Sequence, residues 1–309
     1  MNYRELSKRI LLTGELPTYD EALTVVNSSD EDLLAILDAA FMIRHHYFGY
    51  NLSIHVIHNT RSGSCSENCS FCSQAAVSNS NIPLYPLQSV KQIIEGARDA
   101  HKIKAIRYCI VTSGRGPLES DLDIICEAVR RIKKEIPIQI CTSLGLLKEE
   151  QAKRLKDAGV DRYNHNLESS EKFFSYFCNT HNYSDRVFTA RLAKKAGMEL
   201  CSGGIIGMGE SHHDRVEIAF TLNKLEADSI PLNFLDPRPD TPFENMERLS
   251  PAECLRTLAM FRFINPDKEI RIAGGREACL GFMQVLSLYV ANSLFTRGYL
   301  TTGGQGVPD

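Results

Sequence analysis

Along most of the chain, short apolar runs rich in β-branched residues alternate with longer stretches whose apolar residues recur every three or four positions. The short runs predict strands and the longer spacing predicts amphipathic helices. Eight strands are expected, over 52–58, 106–112, 138–143, 162–167, 199–207, 230–236, 269–274 and 292–297. Between them, "LQSVKQIIEGARDAHK" and "SDLDIICEAVRRIKKE" are the clearest helices. "KEEQAKRLKDAG", "SDRVFTARLAKKAG" and "SPAECLRTLAMFRFI" follow the same pattern, several of them stopped by Gly or Pro. Ahead of the first strand, "SSDEDLLAILDAAFMIRHHYFG" opens on a Ser/Asp cap, and Leu33, Leu34, Leu37, Ala40 and Phe41 keep helical spacing.

Strands that alternate with helices predict a parallel sheet, and eight of them close a barrel. The expected fold is therefore α/β: a (β/α)8 TIM-type barrel over residues 51–309, with an N-terminal helical cap over residues 1–50, as one structural unit. An open doubly wound sheet is the alternative. The final helix of an ideal barrel is expected to be short or missing, because little sequence follows the last strand.

A barrel interior is normally filled with Val, Ile and Leu. Here the predicted strands carry Cys109, Cys141, Asn164, Asn166, Cys201, Asn233 and Arg271. Polar residues in six strands point to a ligand in the lumen. Arg271 also demands a partner, since a buried unpaired charge costs several kcal/mol, on the order of a domain's net stability.

Composition narrows the setting. The chain has 309 residues, 43% of them hydrophobic and 24% charged, with a formal net charge of −3. That balance gives no reason to expect nucleic acid or an anionic membrane as partner. No apolar run approaches the roughly 18 residues of a membrane span. The N-terminal segment carries acidic residues and lacks a signal-peptide core, so a cytoplasmic location is expected. Ten cysteines in a reducing compartment suggest metal, catalytic or buried-thiol roles rather than disulfides.

Three of those cysteines, Cys65, Cys69 and Cys72, fall in "SGSCSENCSFCS" (62–73), just after the first predicted strand. That places them on a loop at the barrel mouth. A [4Fe-4S] cluster has four irons, and three thiolates leave one open. An open iron is useful if a substrate or cosubstrate binds it. The alternative is a zinc loop whose fourth ligand comes from His55 or His58, although this spacing is unusual for zinc ribbons.

The Cys-x3-Cys-x2-Cys spacing, with Phe71 before the last cysteine, resembles the signature of the radical S-adenosylmethionine (SAM) superfamily. "RYC" (107–109), "CTSLGLL" (141–147), "YNHNLE" (163–168), "CSGGIIGMGE" (201–210) and "IRIAGGRE" (270–277) together resemble the biotin synthase family, in the expected order over residues 50–302. The resemblance implies that Cys65, Cys69 and Cys72 hold a [4Fe-4S] cluster whose open iron is chelated by SAM. Reductive cleavage of SAM then yields a 5′-deoxyadenosyl radical. It further implies a sulfur-donating auxiliary iron–sulfur cluster, [2Fe-2S] in the family, at Cys109, Cys141, Cys201 and Arg271. These are four of the lumen residues singled out by the strand pattern alone.

The resemblance assigns SAM contacts to Phe71, Asn166, Glu168 and Arg186, and dethiobiotin contacts to Asn164, Asn166, Asn233 and Thr302. The family's common acid at position 168 is Asp, one methylene shorter. Dethiobiotin as substrate, a flavodoxin or ferredoxin as electron donor, and a homodimer are likewise implied. Another radical SAM enzyme on the same barrel, such as a hydrogenase maturase, and a non-catalytic iron–sulfur protein are the competing readings.

Several residues fall outside these motifs. Cys178, in "YFCNTHNY", is a candidate to touch the auxiliary cluster, alongside or in place of Arg271; the alternative is a surface or packing cysteine. Cys126 and Cys254 are expected as core thiols. His212 and His213 are expected to open a helix, and His165 to face away from Asn164 and Asn166 by strand alternation. Arg238 is a candidate for the substrate carboxylate.

Overall fold

The computed structural model describes residues 1–296 and Leu300. Its strand segments are β1 (Ser53–Arg61), β2 (Arg107–Thr112), β3 (Gln139–Ser143), β4 (Arg162–Asn164), β5 (Glu199–Cys201), β6 (Gly204–Ile206), β7 (Ser229–Phe234), β8 (Glu269–Ile272) and β9 (Ser293–Thr296). The α-helices are α1 (Tyr3–Thr13), α2 (Tyr19–Val26), α3 (Leu33–Phe48), α4 (Val90–Lys102), α5 (Glu119–Glu135), α6 (Glu149–Ala158), α7 (Glu171–Phe177), α8 (Tyr183–Lys195), α9 (His212–Lys224), α10 (Pro251–Ile264) and α11 (Arg276–Leu280).

All strand pairings are parallel, in the order β5-β4-β3-β2-β1-β9-β8-β7-β6, and β5 also pairs with β7 through Cys201 and Ser229. The sheet closes on itself. Segments β5 and β6 are two halves of one stave, so eight staves form the expected barrel and the open-sheet alternative is excluded.

The single strand expected over 199–207 breaks at Ser202 and Gly203 for a local reason. A Cβ at Gly203 would sit 1.9 Å from the Pro231 carbonyl oxygen, so only glycine fits. The Gly203 amide instead donates to Asn166 Oδ1 at 3.1 Å. Strand β4 stops at Asn164, short of the expected 167, as the chain turns to follow Gly203; Leu167 N donates to Gly203 O at 2.9 Å.

Helices surround the barrel, most with an apolar face inward. Ile93, Ile125 and Leu155 of α4–α6 pack with Ile110 and Ile140 of the sheet. Val25, Ile36 and Ile43 of the N-terminal helices share a second cluster with Leu258 and Phe261 of α10. Capping boxes start α4 at Ser89 and α9 at Ser211, with His212 and His213 opening α9 as expected. No helix among the described residues is long and apolar enough to cross a membrane.

The barrel holds a cavity of about 310 Å³. Ile57, Cys109, Cys141, Asn164, Cys201 and Arg271 line it, one from each of six staves. Residues two apart on a strand share a face. Two positions earlier on the same strands stand His55, Arg107, Gln139, Arg162, Glu199 and Glu269. They form a charged floor beneath the cavity. Glu199 Oε2 accepts from Arg107 Nη2 at 3.1 Å and from Arg162 Nε at 2.8 Å. Arg162 Nη1 continues to Glu269 Oε2 at 2.8 Å. Glu269 also pairs with Arg271 and lies 3.2 Å from His55 Nε2. The partner that a buried Arg271 demands is thus Glu269.

Burial favours the protonated form of Glu269, but the charges of Arg271 and Arg162 outweigh it and hold the carboxyl well below the usual range. His55 is kept neutral chiefly by burial, with Arg271 adding to the effect. Counted together with Arg271, the floor's two arginines and two glutamates (3 − 2) leave one net positive charge.

Removing one partner of a buried ion pair strands the other. Glu269→Gln is expected to lose about 3–5 kcal/mol in urea unfolding at pH 7. A depressed carboxylate stabilises the fold above its ordinary pKa, about 4.3, and that contribution is lost as pH falls from there through the depressed value. The variant should therefore show a shallower acid limb than the parent; a change within about 0.5 kcal/mol, the range of ordinary surface substitutions, would contradict the floor's role.

Candidate active site

The cysteine loop leaves β1 at the barrel mouth. Gly63 turns it with φ +79°, a conformation L side chains rarely adopt. Two tight turns then bring the sulfurs together: Cys72 N donates to Cys69 O at 3.0 Å and Ala75 N to Cys72 O at 3.1 Å. The loop is tied to the turn after α7, where Ser70 N donates to Phe177 O at 2.9 Å and Asn68 N to Thr180 Oγ1 at 3.3 Å. Phe71 packs on Phe177 with ring centroids 5.6 Å apart. Cys65, Cys69 and Cys72 are free thiols and all line the cavity. Neither proposed histidine serves as a fourth ligand to them: His55 belongs to the floor, and His58 Nδ1 bonds the Tyr108 hydroxyl.

Deeper in the same cavity lies the second group. Cys109 and Cys141 are register partners on β2 and β3, and Asn164 and Cys201 on β4 and β5. Arg271 Nη1 donates to Cys201 Sγ at 3.5 Å, Nη2 to Ser229 Oγ at 2.8 Å, and the guanidinium lies 4.8 Å from the Phe295 ring centroid. The hydrogen bond between Cys109 and Cys141 draws the Cys109 thiol down and pushes Cys141 up. Burial pushes Cys201 up, and Arg271 opposes it. Three thiols beside the Arg271 guanidinium are a donor set that suits an anionic iron–sulfide core. Two polar atoms there, Asn164 Oδ1 and Arg271 Nε, are buried without a partner in the protein.

Between the two groups, Asn166, Glu168 and Arg186 meet. Arg186 Nη1 donates to Asn166 O at 2.8 Å and lies 3.5 Å from Glu168 Oε1. Glu168 adopts φ +70°, strained for a non-glycine residue and of a kind that clusters at functional sites. Burial pushes its carboxyl up against the pull of Arg186 and Asn166. Asn233 Nδ2 donates to Gly204 O at 3.1 Å and its Oδ1 accepts from Gly274 N at 2.9 Å. One amide hydrogen and one lone pair of Asn233 stay available to a ligand. Arg238 sits at the rim, bonded to Asp236 at 3.1 Å. Thr302 lies outside the described residues.

Two expectations need correction. Cys178 does not join the deep cysteines; its sulfur lies 3.7 Å from Cys69 Sγ, because the turn after α7 folds back onto the cysteine loop. Its sulfur also hydrogen-bonds Thr180 Oγ1 and His181 Nδ1. His165 contributes to the cavity lining together with Asn164 and Asn166, since strand alternation ends with β4 at Asn164. Cys126 and Cys254 are buried core thiols as expected.

Sequence reasoning missed the floor, and it missed Glu67 and His181 beside Cys69. Charged residues two positions before the lumen residues were the available signal for the first. The Cys-x2-His spacing of Cys178 and His181, and an acid inside the cysteine triplet, were the signal for the second.

Residues 60–222 match the model of the Radical SAM superfamily, and residues 231–309 that of the Biotin and Thiamin Synthesis associated domain. The chain is similar to a biotin synthase of Salinibacter ruber, 51% identical over 98% of this chain and 84% of the relative. One from Lysinibacillus sphaericus is 50% identical over 99% and 92%. Among solved structures, that of methylornithine synthase (PylB) superposes with a TM-score of 0.83 over 94% of this chain and 85% of the other. At 21% identity the latter is a likeness of fold alone.

A buried carboxylate with a raised pKa costs stability, fully so above that raised value. Glu168→Gln should therefore leave the ligand-free protein at least as stable as the parent at pH 7. Thermal unfolding checks this, and a clear fall in Tm would contradict it.

Proposed function

The chain belongs to the biotin synthase family of the radical SAM superfamily, and on that premise we propose how its residues divide the conversion of dethiobiotin to biotin. The observation that carries the proposal is the two-tier cavity, with three thiols at the mouth and three thiols with an arginine above a charged floor. The enzyme is a sulfurtransferase: two C–H bonds of dethiobiotin are replaced by two C–S bonds to one sulfur.

Cys65, Cys69 and Cys72 would hold the [4Fe-4S] cluster. Cys109, Cys141, Cys201 and Arg271 would hold the auxiliary cluster, a [2Fe-2S] by family. Together with SAM these groups supply a 5′-deoxyadenosyl radical for unactivated carbons and a sulfide to insert, chemistry that side chains lack.

The chain's own residues bind, orient and exclude. Arg186 offers a guanidinium suited to the methionine carboxylate, and Glu168 a carboxylate suited to paired ribose hydroxyls. Phe71 and Asn166 complete the SAM contacts. Amides of Asn164, Asn166 and Asn233 match the donors and acceptors of a ureido ring, with Thr302 as a further substrate contact. The enclosed barrel keeps a reactive species beside its target and away from water. The one positive charge left over when Arg271 is counted with the floor would stabilise an anionic core. A flavodoxin or ferredoxin donor, a homodimer, a cytoplasmic location and the division into a helical extension (1–50) and barrel (51–309) complete the proposal.

The test is an anaerobic assay of protein loaded with iron and sulfide, reduced, and given SAM and dethiobiotin. Both 5′-deoxyadenosine and biotin are expected by mass spectrometry. Cys65→Ala should abolish both products. Cys141→Ala should form 5′-deoxyadenosine without biotin. Biotin from Cys141→Ala at the parent's level would refute the deep tier as the sulfur source.

A further inference from the structure

Beside the cysteine loop, three buried side chains form a cluster that the roles above leave unused: Glu67, Cys178 and His181. His181 Nδ1 lies 2.5 Å from Glu67 Oε2 and 3.4 Å from Cys178 Sγ. Thr180 Oγ1 donates to the same Glu67 oxygen at 2.6 Å, and Arg115 Nη1 lies 3.3 Å from the other. On the far edge of the imidazole, Arg186 Nε donates to His181 Nε2 at 3.0 Å.

Three ligand types this close raise the question of a mononuclear metal. The far edge of His181 answers it. A metal-bound histidine almost always donates its other ring N–H to an acceptor. Here that other nitrogen faces a guanidinium, which can only donate. Nε2 must therefore carry the lone pair. A neutral ring then has its proton on Nδ1, where a metal would have to bind and where Glu67 stands ready to accept. The geometry describes a hydrogen-bonded chain from Glu67 through Nδ1–H and Nε2 to Arg186 Nε–H.

We propose that Glu67 and His181 are positioning residues that fix the aim of Arg186 from within the cysteine loop, so that the loop holding the cluster also orients the side chain that captures the SAM carboxylate. Glu67 lies between Cys65 and Cys69 in sequence, so one loop carries both functions. The Phe174 ring braces the pair, 5.4 Å from the His181 ring and 5.6 Å from the Arg186 guanidinium. A free arginine loses rotamer entropy when it binds a carboxylate; one already held on two sides, by His181 and by Asn166 O, has less to lose. The inference rests on the assignment of Arg186 to SAM made above.

The experiment measures SAM affinity by anaerobic equilibrium binding to cluster-loaded full-length protein, with metal analysis of each preparation. His181→Phe, which keeps a ring beside Phe174 but no hydrogen bond, should weaken SAM binding about tenfold, the lower end for outer-shell partners. Glu67→Ala should weaken it comparably, while Glu67→Gln, whose amide oxygen still accepts from Nδ1–H, should bind nearly as the parent does. In an Arg186→Ala background, His181→Phe should cost nothing further, since a residue acting through another is non-additive with it. A purely structural role would lower Tm in both backgrounds without this pattern.

Unchanged SAM affinity in both His181→Phe and Glu67→Ala overturns the inference, as does an undiminished His181→Phe effect in the Arg186→Ala background. A stoichiometric zinc or extra iron in the parent, lost in His181→Phe, overturns it in favour of a metal site. A parent that holds its cluster but binds no SAM overturns this inference and the proposed function together, whereas a SAM-binding parent with unaffected variants overturns this inference alone.

Discussion

A guanidinium sealed inside a barrel must find its counter-charge inside the barrel too, and Arg271 finds it in Glu269. That pairing sets much of what surrounds it. Glu269 is shared with Arg162 and His55, and Arg162 passes the network to Glu199 and Arg107. The floor that results spans six staves; its two arginines and two glutamates balance, so the charge of Arg271 above it is the one left over. A wholly apolar floor could not hold Arg271. Several kcal/mol of desolvation are accepted at the barrel's base, and what they secure is a fixed field beneath the deep cysteines.

The mouth is organised differently. There the backbone does most of the work: Gly63 turns the chain, two tight turns present the sulfurs, and the turn after α7 clasps the loop. Strain at this level falls on Glu168, and the break between β5 and β6 requires a glycine at 203, since a Cβ there would meet the carbonyl oxygen of Pro231. That break carries the 203–204 segment against residues 166–168 and so joins the two tiers. A mouth shaped by loops, above a floor locked by ions, fits the proposed division between SAM at the mouth and the sulfur source below it.

The barrel was legible in the sequence because its signals are local: β-branched runs, amphipathic helices, caps and glycine stops. The lumen was legible because cysteines, asparagines and an arginine are anomalous in barrel strands. What stayed hidden depends on contacts between distant segments. Glu199 and Glu269 look like ordinary charges at strand starts until closure brings them between arginines. Cys178 was assigned to the wrong tier because its place depends on how α7 ends, more than a hundred residues after Cys69. His165 was turned the wrong way because β4 stops three residues early, to accommodate Gly203 on another stave. Thr302 belongs to the stretch outside the described residues.

In the proposed division of labour, the sulfur of the product is drawn from sulfide held by Cys109, Cys141, Cys201 and Arg271 over the charged floor. The most direct measurement is to load the protein with iron and heavy-isotope sulfide and remove all free sulfide. A single turnover is then run anaerobically with SAM and dethiobiotin, and the isotope in biotin is read by mass spectrometry. Labelled biotin is expected from the parent and none from Cys141→Ala. Unlabelled biotin from fully labelled parent protein would contradict it.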